Sequence, residues 1–411
     1  MSGPEALEKT KSRNLVICCD GTNNEFGVNN TNVVRLIQAL NRDPAKQRLH
    51  YDPGVGTLPE IGRVTRLGKW LSKVRGLAFG AGLSANIEEA YSYLMDFWEP
   101  GDKVFLFGFS RGAYSVRVLA ALLHALGLMP RGSQNLLPYA MRLFKGSKGR
   151  RDDKDYWKLL NHFRRTFARQ IKPGEDDRRF PVHFLGVWDT VSSVGWLWNP
   201  VTYPFTRTNP SVDVIRHAVS VDERRCFFRQ NQMVQAKRKP GEPQQDLKEL
   251  WFPGVHCDIG GGYPLSEGGL WQEPFRWMVT EAQAAGLELN EPQLHTILKR
   301  SPVSPPWWAA NSWIDDKHES LTWQWWLAEF FPKLERRRTQ DGAGSWTYAS
   351  RKTPKLGLFG HREIDDGAMI HSSTLRRIRE LNTYKPRNLS NSFVATVRGL
   401  KDVPDDLPYK K

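Results

Sequence analysis

The chain has 411 residues, 40% of them hydrophobic, with 34 glycines and 26 prolines, which excludes a disordered polymer and allows a large core. A formal net charge of +15 favours anionic partners but does not choose among phospholipid head groups, nucleic acid and acidic proteins. Cys18, Cys19, Cys226 and Cys257 show no CxxC spacing, which argues against a zinc site and for free thiols in a chain made in the cytoplasm.

Residues 1–13 are polar and read as a flexible N-terminus without the apolar h-region of a Sec signal peptide. No run of about 18 apolar residues occurs, so no membrane-spanning helix is expected. Residues 14–19 (NLVICC) form an unbroken apolar run, the pattern of a buried parallel strand, and lead into the turn Asp20-Gly21-Thr22. Cys18 and Cys19 then point to opposite faces of that strand. A helix is predicted over 31–40, capped by Thr31 or Asn32. A second strand runs from residue 49 into a glycine-rich loop, and 62–82 read as a basic surface excursion. A helix over 84–98 has Ser84 as its cap.

Residues 128–180 read as an insertion around an amphipathic helix at 156–171. Its apolar face suits either an ordinary surface helix or a lid that touches a membrane. Strand patterns resume at 181–191, ending near Asp189, then at 212–219, and at 250–262, where His256 and Asp258 lie beside three glycines. A helix follows over 274–285. The region 301–411 is Trp-rich and reads as a helical C-terminal part packed on a 14–300 catalytic core. It contains a short helix over 371–381, with Ser372 or Ser373 as cap. Strands alternating with helices imply an α/β fold with a mostly parallel central sheet and flanking helices.

The most informative stretch is residues 103–127, an apolar strand, then Gly108-Phe-Ser110-Arg-Gly112, then a helix without a breaker. This is the layout of a nucleophile elbow, where a serine sits on a strand-to-helix turn too tight for larger neighbours. A serine at neutral pH needs a base within hydrogen-bond reach and an acid to orient that base. In the order Ser, Asp, His, the strand-end residues Asp189 and His256 follow Ser110. Alternatives stay open: Asp189 as a turn cap, Asp258 as the partner of His256, and His371 as the base. His183 and His217 fall within predicted elements and read as packed. For the oxyanion, the N–H of Arg111 is one candidate donor. The turn Asp20-Gly21-Thr22 is the other candidate, or a plain turn in which Asp20 bonds its own backbone.

The segments DGTNN, GVGT, GFSRGAYSVR, GVWDTVSSVG, HAVSVDERR and WFPGVHCDIGGGY occur in that order. Together they resemble the α/β-hydrolase domain family that includes type VI secretion lipase effectors. The likeness spans about residues 14–290, with a weaker echo at His371-Ser-Ser. It implies an esterase or phospholipase in which Ser110 is the nucleophile, Asp189 the acid and His256 the base. It also implies export by type VI secretion, with secretion-apparatus or immunity partners.

The leading expectation is therefore a serine hydrolase of lipid esters that needs no metal or organic cofactor. Basic charge and tryptophans at 307–326 fit an anionic membrane surface, though those rings equally suit core packing. Two other readings are an esterase or thioesterase on a soluble acyl substrate, and a catalytically silent hydrolase fold used for binding. The basic residues are dispersed, so nucleic acid is not expected as a partner.

Overall fold

The first apolar run forms strand β1 (Asn14–Cys19), buried at every position. It pairs in parallel with β2 (Gln47–Asp52) on one side and β3 (Lys103–Phe109) on the other. β4 (Val182–Trp188), β5 (Val212–Ser220) and β6 (Asp246–Phe252) extend the parallel ladder beyond β3. β7 (Met369–His371) adds in parallel to β6, and β8 (Asp406–Pro408) closes the edge antiparallel to β7. The result is one eight-stranded sheet in the order β8-β7-β6-β5-β4-β3-β1-β2. The chain therefore adopts the expected α/β architecture. The computed structural model describes residues 12–21, 27, 29–54, 80–146, 153–171, 178–191, 195–196, 199–200, 203–264, 266–298, 312–321, 336–340, 346–350 and 360–410.

The unbroken apolar runs arise because both faces of the sheet are covered. Leu15, Ile17 and Cys19 join Val104 and Leu106 in one core. Val16 and Cys18 join Phe105, Phe107 and Phe109 in the core on the opposite face. The adjacent thiols thus diverge as strand alternation requires. Helix α1 (Asn32–Ala39) covers the second face with Val33 and Leu36. Helices α2 (Gly80–Phe97), α3 (Ser110–Leu126), α4 (Leu137–Lys145) and α5 (Lys154–Phe167) cover the first. The chain then returns to the second face with α6 (His256–Gly260), α7 (Gln272–Ala284) and α8 (Glu291–Leu298). A third core, around Trp251 and Ile370, packs α9 (Ser372–Glu380) and α10 (Asn391–Arg398) beside β6 and β7.

Several local expectations are corrected. α2 begins at Gly80, so Ser84 lies inside the helix and does not cap it. His371, and neither Ser372 nor Ser373, caps α9, its ring accepting from the N–H of Ser373. Where a helical region packed on the core was expected, the described part of 301–411 also supplies β7 and β8 of the central sheet. Long-range ladder bonds, invisible to local periodicity, recruit the short Met369–His371 segment to β6. Most of the 62–82 excursion, and Trp307, Trp308, Trp323, Trp325 and Trp326, lie outside the described residues. Trp313 is buried and donates its indole N–H to Glu380. In α5, Tyr156, Leu160 and Phe163 face the core, whereas Phe167 is exposed.

Because β1, β3, β4, β5 and β6 are parallel, their C-terminal ends emerge at one edge of the sheet. Parallel α/β sheets build their sites there.

Candidate active site

Ser110 follows β3 and opens α3 with φ = 58°, the left-handed region that L-residues seldom occupy. The surrounding glycines show why the turn holds. A Cβ at Gly108 would lie 2.6 Å from the main chain of Gly112 and Ala113. One at Gly112 would lie 2.1 Å from the carbonyl oxygen of Cys19, at the end of β1. The elbow is thus wedged between its own helix and the neighbouring strand.

Asp189 follows β4, also at positive φ (38°), and His256 opens α6 a few residues after β6. Gly254, with φ = 108°, makes the turn between β6 and that short helix. These elements bring three residues distant in sequence together. Ser110 Oγ lies 2.9 Å from His256 Nε2, and His256 Nδ1 lies 2.5 Å from Asp189 Oδ2. All three side chains are buried. The imidazole sits between the rings of Phe109 and Phe228, at centroid distances of 4.6 and 4.8 Å.

Electrostatics set the protonation states. Burial alone would raise the Asp189 carboxyl, but Arg362 and His256 outweigh it and hold it well below the usual carboxylate range. Asp189 is therefore ionised. Arg362 donates Nη1 to Oδ1 at 2.5 Å and Nη2 to Oδ2 at 2.9 Å, and the N–H of Ser220 donates to Oδ1 at 2.9 Å. Burial pushes His256 below its ordinary value, against the pull of Asp189. A neutral ring follows at pH 7, with Nδ1–H donating to Asp189 and the Nε2 lone pair free to accept the Ser110 hydroxyl proton. Glu223 accepts from the N–H of His256 at 3.1 Å and pairs with Arg225 at 2.9 Å. Burial would raise Glu223, but Arg225 brings it down to about 2. Chemically, such a Ser–His–Asp chain can move a proton off the serine oxygen and return it to a leaving group.

The other candidate residues fall elsewhere. Asp258 does not touch His256; it accepts from His318 Nδ1 at 2.6 Å and from the N–H of Val255 at 2.9 Å. His371 accepts from the N–H of Ser373 at 3.2 Å and stacks on Phe252. Asp20 accepts from the N–H of Gly21 at 2.6 Å and from Thr31 Oγ1 at 2.6 Å. The Gly21 N–H is thus engaged inside its own turn, and Thr22 lies outside the described residues. Arg111 stands second in α3, where a main-chain N–H has no partner within the helix. Burial lowers its guanidinium to about 10. His183 and His217 are packed against Ala285 and Glu249.

Sequence reasoning did not find Arg362, which reaches Asp189 from 173 positions away. No spacing rule links such a pair. Ser220, Glu223 and Arg225 lay in the quoted segment HAVSVDERR, but their roles needed the fold. Among the described residues, no group of three or more His, Cys, Asp and Glu side chains is placed to hold a metal ion. No described helix is long and apolar enough to cross a membrane.

Compared with known families, residues 13–281 match the type VI secretion phospholipase effector Tle1-like catalytic domain. The chain belongs to this family. Ser110, Asp189 and His256 all lie inside the matched Tle1-like segment, and Arg362 lies outside it. A curated relative, the uncharacterized protein YEL023C of Saccharomyces cerevisiae (strain ATCC 204508 / S288c), is 34% identical over 230 residues. The alignment covers 54% of this chain and 33% of that protein, so the chain spans about a third of its length. Among solved structures, an uncharacterized protein from Pseudomonas aeruginosa is 20% identical, with 69% of this chain and 47% of that one covered. Its TM-score is 0.41. The Tle1 effector bound to the VgrG spike of the Type 6 secretion system is also 20% identical, covering 62% and 52% at a TM-score of 0.33.

Proposed function

We propose that this Tle1-like domain is a serine hydrolase of carboxylic esters in phospholipids. The reading rests on one observation above all: Ser110 on a left-handed elbow, 2.9 Å from an imidazole whose other nitrogen meets a buried carboxylate. Ser110 Oγ attacks the acyl carbonyl while His256 Nε2 takes the hydroxyl proton. The tetrahedral intermediate collapses, and His256 passes that proton to the departing alcohol. A water molecule then hydrolyses the acyl-serine by the same route in reverse. Asp189 keeps the ring in its tautomer and stabilises the imidazolium. The N–H of Arg111 donates to the oxyanion. The second proposed donor comes from Asp20-Gly21-Thr22, and the Gly21 N–H must leave Asp20 to serve.

The family, that of a type VI secretion phospholipase effector, supports a phospholipid substrate and export by type VI secretion. A secretion-apparatus component and an immunity protein are the partners we propose with it. A net charge of +15 suits an anionic bilayer surface. The test is acyl release from mixed anionic phospholipid vesicles by wild type and Ser110→Ala, with folding checked by circular dichroism. We expect at least about a thousandfold loss in the variant with the fold retained. Hydrolysis only of short-chain soluble esters or thioesters would move the substrate class. Salt-dependent binding without any serine-dependent hydrolysis would move the protein to the binding reading.

A further inference from the structure

We propose that Arg362 is a positioning residue for this site. Its guanidinium fork sets the plane of the Asp189 carboxylate, and its charge balances that carboxylate behind His256. The inference rests on the Ser110–His256–Asp189 reading above.

The contacts of Arg362 form a complete set. Both terminal nitrogens bind Asp189, Nη1 to Oδ1 and Nη2 to Oδ2. Nη1 also donates to the carbonyl of Ser220 at 3.2 Å, and Nε donates to the carbonyl of Phe228 at 3.0 Å. Nη2 meets the same Phe228 carbonyl. Arg362 and Asp189 are each 1% exposed, so neither charge is screened by water. A bidentate fork fixes a carboxylate in orientation as well as position. Here it leaves Oδ2 directed at His256 Nδ1. The Phe228 carbonyl that caps the fork belongs to the residue whose ring backs the imidazole. One guanidinium thus ties the acid, the end of β5 and one wall of the base pocket.

The charge balance gives the fork a second effect. The ionised groups facing His256 are Asp189 after β4, Glu223 and Arg225 after β5, and Arg362 behind Asp189. The neighbouring Cys257 thiol is pushed up to about 12 by burial and stays neutral. With two anions and two cations, the pocket is balanced around a neutral imidazole. Without Arg362 one negative charge would be left over, and the imidazolium would be favoured.

The segment is anchored independently of the ion pair. The carbonyls of Gly360 and His361 accept from Arg229, and that of Arg362 accepts from Asn388. Since Arg362 lies beyond the family-matched residues 13–281, a later part of the chain completes the electrostatics of the earlier one.

The test uses the full chain and the rate of covalent labelling by a fluorophosphonate between pH 5 and 9, which requires no known substrate. Wild type, Ser110→Ala, Arg362→Met and Arg362→Lys are compared, with thermal melts alongside. Wild type should label and Ser110→Ala should not. Equal labelling of those two, or none in folded wild type, overturns the serine-hydrolase reading and this inference with it. Arg362→Met should move the acid limb of the profile up by about one pH unit and lower the plateau rate. That fall should be roughly ten- to a hundredfold. Arg362→Lys should restore the limb, because the charge returns, and keep a lowered plateau, because the fork does not. A folded Arg362→Met with the wild-type limb and plateau would reduce Arg362 to a strut and overturn the proposal, whatever its melting temperature. If that variant fails to fold, Arg362→Lys decides: a wild-type plateau overturns the positioning role, and a lowered plateau on an unmoved limb supports it.

Discussion

Gly112 and Cys19 meet so closely that a Cβ on Gly112 would lie 2.1 Å from the Cys19 carbonyl oxygen. Both partners are buried main chain, on α3 and β1, so neither can yield cheaply. Gly112→Ala is expected to destabilise the fold by about 2–4 kcal/mol and to disturb the serine turn. Gly399→Ala is the control, because its added Cβ meets only ordinary contacts at 3.5 Å and its φ is −83°. Urea unfolding should leave that variant within about 0.5 kcal/mol of wild type.

Asp189 and Asp258 flank His256 in sequence terms, yet only Asp189 touches its ring. Asp189→Asn should cut the labelling rate by about 10³–10⁴, since an amide no longer holds the reactive tautomer. Asp258→Asn should retain the rate within roughly tenfold and lose about 1–3 kcal/mol of stability, because His318 and the Val255 N–H lose a charged acceptor. Rates that fall equally in the two variants would contradict this division.

His371 is held neutral far below its ordinary value of 6.5, at about 3, by burial and then by Arg276 and Arg376. Ser373 and the face of Phe252 complete its surroundings. An unfolded chain takes up a proton near 6.5 that the folded one refuses until about 3. Stability should therefore fall as pH drops below 6.5, by at most about 1.4 kcal/mol per pH unit from this residue. His371→Asn, which keeps a capping side chain, should flatten that part of the stability profile measured by urea at pH 7 and pH 5. Its labelling rate at pH 7 should stay within about twofold of wild type, whereas His256→Asn should abolish labelling.

Arg117, the last residue of GFSRGAYSVR, is 1% exposed and donates to the carbonyls of Thr206 and Asn231 at 2.7 and 2.6 Å. Arg117→Leu would strand both acceptors in a dry interior. A loss of about 2–4 kcal/mol is expected in urea unfolding, without a shift in the pH profile of any remaining activity.

Much of the frame was readable along the chain. NLVICC and the residue 103–109 run are strands because an unbroken apolar stretch suits a sheet covered on both faces, and the two cores divide their side chains by strict alternation. The elbow was readable because its geometry demands small residues at fixed spacing, at Gly108 and Gly112. Cap positions depend on where a helix starts in the fold. Ser84 and Ser372 have the right chemistry, but helix α2 starts a turn earlier and His371 takes the cap of α9.

Local order along the sequence dictates the strand–helix alternation and the serine turn, since these depend on chain neighbours and on local sterics. It also determined a short set of strand-end partners that parallel pairing could deliver to one sheet edge. The fold alone brings Ser110, His256 and Asp189 within hydrogen-bond reach and leaves Asp258 and His371 with other partners, because that reach depends on where separate loops converge. It alone revealed Arg362, whose fork closes on Asp189 across 173 positions, and the Met369–His371 strand that extends the sheet. A buried charge must find its counter-charge in space, and spacing along the chain carries no record of that meeting.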